Sequence, residues 1–100
     1  MTTATVYSHI TKDPEVCGSK ACIDRTRLRV LDIVGLHRQG LKAEEMLHAY
    51  ASPLTLAQVY AALSYAYDHP DEIEAEIRAG REAADQIERE REEYLKRRAR

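Results

Sequence analysis

Hydrophobic positions recur at helical spacing along most of the chain, and Gly and Pro cut the pattern into four runs. Val30, Leu31, Val34 and Leu36 make the first, predicting a helix over residues 31–39 that closes at Gly40, where a left-handed residue can end it. Met46 and Leu47 mark a second helix over 42–49. The break Ala51-Ser52-Pro53 follows, because Pro disfavours helix at the residue before it. Thr55 suits an N-cap whose hydroxyl accepts from the Gln58 amide, and Val59, Ala62, Leu63 and Ala66 carry a third helix to about residue 67. Asp68-His69-Pro70 breaks the chain again. Pro70 fits a first helical position, and Asp71 and Glu72 fit the positive end of a fourth helix running to about residue 97. Its apolar residues Ile73, Ile77, Ala84, Ile87 and Tyr94 follow a heptad seam, with Gly80 and Arg91 in the gaps.

Ahead of the helices the period changes to two. Thr5-Val6-Tyr7-Ser8-His9-Ile10 alternates β-branched and aromatic residues and predicts a strand. Ala21-Cys22-Ile23 and Arg27-Leu28-Arg29-Val30 predict a hairpin joined through Asp24-Arg25-Thr26. The predicted fold class is therefore mainly α: a small N-terminal β-hairpin, a three-helix helix-turn-helix domain over residues 1–69, and a long C-terminal helix over 70–100 for a partner or for dimerisation. In a helix-turn-helix the later helix lies in the DNA major groove, although many small bundles share the same helix spacing.

One hundred residues suffice for one compact domain with an appendage. With no Trp or Phe the core is thin, and a partner or homodimer would add stability. No apolar run reaches the ~20 residues of a membrane span, and no secretory signal pattern opens the chain, so a cytoplasmic protein without membrane contact is expected. The net charge of −2 is unevenly spread: +2 over residues 1–40, −2 over 41–70, −6 over 71–95 and +4 over 96–100. Any nucleic-acid surface must then be local.

The local cations are Arg25, Arg27 and Arg29 on the hairpin and Lys42 beside the second helix. Arginine's planar fork suits phosphate, but the same residues could simply solvate an edge strand. On the third helix Thr55 and Gln58 face outward, and Gln58 alone reads base edges well. No Lys or Arg occurs between Ala43 and Arg78, so flanking cations or a dimer would have to supply DNA affinity. Glu44 and Glu45 complement the dipole of the second helix. Cys17 and Cys22 lack a second pair for zinc and read as reduced loop or core residues; His37 and His48 have no acid or Cys at ligand spacing. His9 with either Cys lacks a third orienting group, so neither an enzyme nor a bound cofactor or metal is expected.

The string Asp13-Pro14-Glu15-Val16-Cys17-Gly18, Lys20, Cys22-Ile23, Thr26-Arg27 and Val30, followed by Gly40-Leu41-Lys42-Ala43-Glu44-Glu45-Met46-Leu47 and Leu54-Thr55-Leu56-Ala57-Gln58-Val59, resembles the small prokaryotic proteins known as domain of unknown function 433. Ala61-Ala62-Leu63-Ser64-Tyr65-Ala66 and Asp71-Glu72-Ile73 continue it. The family's usual Gly-Lys-Pro reads Ser19-Lys20-Ala21 here, and its usual Arg-Gly reads Asp24-Arg25. The family is similar to helix-turn-helix DNA-binding domains, with members that serve as antitoxins of PIN-like ribonucleases. The resemblance thus implies a type II antitoxin whose recognition helix spans residues 55–67, with Arg25, Arg27, Arg29, Lys42, Thr55 and Gln58 the residues expected from the sequence to contact operator DNA. Its C-terminal helix would hold the PIN-like ribonuclease toxin through Ile73, Ile77, Arg78, Arg81, Ala84, Ile87, Arg91 and Tyr94. Such nucleases hold a divalent metal in clustered carboxylates, and an inserted Arg would compete for those acids; Arg78, Arg81, Arg89 and Arg91 are the candidates, each also able to pair with a Glu one turn away. Two other readings stay open: a stand-alone dimeric transcriptional regulator whose C-terminal helices pair with each other, and an interaction module that never touches DNA.

Overall fold

The computed structural model describes residues 3–4, 7–15, 18, 20–50 and 53–99. The chain divides into two compact units, Met1–Pro70 and Asp71–Arg100. The fold is mainly α, with strands at the N-terminal end, three short helices in helix-turn-helix order and a long C-terminal helix.

Three short strands, β1 (Thr3–Ala4), β2 (Ile10–Lys12) and β3 (Cys22–Ile23), form an antiparallel sheet in the order β1-β2-β3. Ala4 is opposite Thr11, and Ile10 is opposite Ile23. Of the strand expected over residues 5–10, only Ile10 is in a strand among the described residues. Thr5 and Val6 lie outside the described residues; Tyr7, Ser8 and His9 turn, with His9 at a φ of 69°, and only Ile10 joins the sheet. Alternation over these residues reflects Tyr7 packing on a helix and Ile10 entering the core. The expected hairpin over 21–30 does form. The Ile23 N–H donates to the Leu28 carbonyl at 2.8 Å, the Val30 N–H to Ala21 at 2.9 Å, and Cys22 bridges Arg29.

Helix α1 (Val30–Arg38) starts where the Asp32 carboxylate accepts from the Arg29 N–H at 2.9 Å, and ends before Gly40 at a φ of 91°. Helix α2 (Ala43–Met46) is one turn, shorter than the expected 42–49. Glu45 accepts from the Lys42 N–H at 2.9 Å and so caps it, while the turn that follows lets Met46 alone reach the core. Ala51 and Ser52, expected to break the chain, lie outside the described residues. Helix α3 (Leu56–Asp68) is capped by Thr55, whose hydroxyl accepts from the Gln58 N–H at 3.2 Å. It packs on α1, α2, β2 and β3 and is the centre of this unit. The core is Ile10, Ala21, Cys22, Ile23, Val30, Ile33, Val34, Met46, Leu54, Val59, Ala62 and Tyr65. His69 ends α3, and Pro70, with no N–H to leave unsatisfied, opens α4 (Pro70–Arg98).

Candidate partner-binding surfaces

The hairpin tip carries the first set of candidates. Asp24, Arg25, Thr26 and Arg27 make a tight turn in which the Thr26 hydroxyl donates to the Ile23 carbonyl at 2.8 Å and accepts from the Leu28 N–H at 3.1 Å. Arg25 stands at a φ of 64°, in the left-handed region. Arg25 and Arg27 are exposed. Arg29 is half-buried, and its guanidinium lies 3.4 Å from Asp32. It is therefore committed to the start of α1, and the three arginines do not form one free surface. Lys42 is exposed at the start of α2.

The outward side of α3 is a different kind of surface. Gln58 is half-buried, and its side-chain oxygen accepts from the Thr55 N–H at 2.8 Å, so the one expected base reader closes a capping box instead. At 100° per residue Leu56, Tyr60 and Tyr67 fall on one narrow stripe. Tyr60 is 52% exposed and Tyr67 71%. Tyr67 shares a hydrogen bond with His37 Nε2 at 2.8 Å. No Lys or Arg lies on this helix.

A polar and aromatic cluster that the sequence did not reveal ties the turn at Tyr7 to the end of α3. The Tyr7 hydroxyl donates to the Asp68 carboxylate, and its ring meets Tyr65 edge-on at 5.3 Å. His69 stacks on Tyr65 with ring centres 4.3 Å apart, and its Nδ1–H donates to the Tyr65 carbonyl at 3.1 Å. Lys12 Nζ lies 5.8 Å from the Tyr65 ring centre. The hydrogen bond to Asp68 pushes the Tyr7 phenol up to about 12, because ionising it would lose that bond and set an anion beside a carboxylate. Burial raises Tyr50 as well. Tyr7 and Asp68 are 61 positions apart, and no local pattern could have paired them.

Helix α4 carries the third surface. Its first-turn acids and last-turn bases both complement the helix dipole. Ile73 is buried and Ile77 half-buried. Beyond them Ala84, Ile87, Arg91 and Tyr94 are exposed, Ile87 at 66% and Tyr94 at 54%. Arg78 and Arg81 are exposed too. Arg89 donates to the Gln86 side chain at 2.7 Å, and Arg91 lies 3.8 Å from Glu88.

Cys22 is buried in the core and His9 is exposed; Cys17 lies outside the described residues. Among the described residues no group of His, Cys, Asp or Glu could hold a metal ion, and no helix is long and apolar enough to cross a membrane.

A small sheet, three short helices and a long C-terminal helix define a small, mainly α protein. The family model for a protein of unknown function, DUF433, matches residues 10–66, and the chain belongs to that family. It is similar to the crystal structure of a DUF433 member protein from Anabaena variabilis, with 36% identity and a TM-score of 0.62, over 69% of this chain and 67% of that one. No curated protein matches the chain.

Proposed function

We propose that this protein is a cytoplasmic type II antitoxin that neutralises a PIN-like ribonuclease through the exposed part of α4 and contacts operator DNA through its N-terminal unit. The observation that carries this reading is the exposed seam itself. Ile87 and Tyr94 lie on a helix whose remaining surface is charged, and such a stripe gains most of its stability when a partner covers it. Arg78, Arg81 and Arg91 flank or interrupt the seam, where a guanidinium could pair with the metal-binding carboxylates of a nuclease. Operator contact falls to Arg25 and Arg27 at the hairpin tip and to Lys42, as phosphate contacts.

The cation-free, tyrosine-bearing face of α3 favours a second reading, in which the N-terminal unit binds protein and not DNA. Nuclease inhibition tests the leading reading. Ile87→Asp with Tyr94→Asp should abolish both co-purification with a PIN-like ribonuclease encoded beside this chain and inhibition of its RNA cleavage, while Tyr60→Asp should leave both intact. Full inhibition by the doubly substituted chain would contradict the assignment to α4.

A further inference from the structure

We propose that α4 pairs with α4 of a second copy of this chain in antiparallel orientation, with Ala84 of each copy against Ile87 of the other. The inference stands on α4 alone and does not depend on the antitoxin reading. From Ile77 the seam continues through Gly80, Ala84, Ile87, Arg91 and Tyr94, and past Ile77 every residue to Ala99 is exposed. Reversing one copy about the midpoint of Ala84 and Ile87 sets Ile77 against Tyr94 and Gly80 against Arg91. The longest seam side chain then meets the one position without a Cβ. Within its own chain Gly80 has nothing within 4 Å of where a Cβ would stand, so no intrachain packing requires glycine there. Close approach of a second helix does.

Charge decides the orientation. The antiparallel register brings Arg81 beside Glu88 of the second copy, and twofold symmetry repeats the pair. It also lays the basic end, Lys96, Arg97 and Arg98, over the acidic start of the other helix, and opposes the two helix dipoles. Parallel pairing would set each of these ends against its own like. Only Ala, Gly and Arg fill half of the seam, so the dimer is weak and reversible, and it covers the same Ile87 and Tyr94 that a different partner would use.

Sedimentation equilibrium of the full chain up to about 1 mM tests this. The chain should dimerise, and Arg81→Glu or Glu88→Arg alone should weaken the dimer by about tenfold. The double reversal Arg81→Glu with Glu88→Arg should restore it to within about threefold, since it re-forms the same pairs with opposite sign. Circular dichroism checks that each variant keeps its helix. A chain that stays monomeric throughout, a dimer indifferent to both single changes, or a double variant no better than the singles would overturn the proposal. Nuclease inhibition is not read in this experiment, so its failure leaves the proposed function to its own test.

Discussion

Arg25 adopts a left-handed conformation that costs an L side chain about 1 kcal/mol, and it does so because the turn over residues 24–27 is fixed by Thr26 on one side and by the ladder bonds on the other. Arg25→Gly should therefore raise stability by about 0.5–1 kcal/mol, seen as a higher midpoint in thermal or urea unfolding; a lower midpoint would show that the arginine makes a compensating contact. Tyr7 gives a pH signature. Its folded pKa of about 12 exceeds the ordinary 10.0, so the fold favours the neutral phenol. The resulting stabilisation is complete below pH 10 and fades as the pH rises towards 12. Ultraviolet titration of tyrosinate should show late-ionising tyrosines, Tyr50 among them, and Tyr7→Phe should remove one tyrosine from the late step; an unchanged late amplitude would contradict the assignment. The Thr55 cap was legible in the sequence because donor and acceptor are three residues apart. The Tyr7–Asp68 bond was not, since only the tertiary fold brings its ends together.

At the level of elements, punctuation told more than periodicity. Gly40, Thr55 and Pro70 fixed three helix boundaries through backbone rules that act locally. The length of α2 and the turn at Tyr7 depended instead on what the rest of the chain packs against them. The sequence also assigned Gln58 to DNA because its side chain can read adenine; the structure shows the same carboxamide closing the α3 capping box, a role its spacing from Thr55 already allowed. Gly80 offers a test at this scale. Within α4 it costs about 1 kcal/mol relative to Ala, and open space surrounds it. Gly80→Ala should raise the helicity of α4 and slow its amide exchange by a corresponding factor at dilutions where the chain is monomeric. Unchanged or faster exchange would mean that the helix is held by something other than its own propensity.

For the whole molecule, the division of charge is also a division of surfaces. The N-terminal unit gathers its core around α3 and leaves Arg25, Arg27 and Lys42 exposed, whereas the exposed part of α4 is acidic with a basic end and an uncovered seam. The long fourth helix was readable because its apolar residues keep one narrow stripe between charged flanks. The burial along that stripe was not readable: Ile73 looks in sequence like Ile87, yet one is 2% exposed and the other 66%. The most direct test is hydrogen exchange of the dilute full chain with and without the proposed partner, a PIN-like ribonuclease. The amides of residues 84–95 should exchange far faster than those of Val59 and Ala62 in the free chain, and become strongly protected in the complex. Equal protection of α4 and α3 in the free monomer, or no gain in α4 on adding the ribonuclease, would contradict the account.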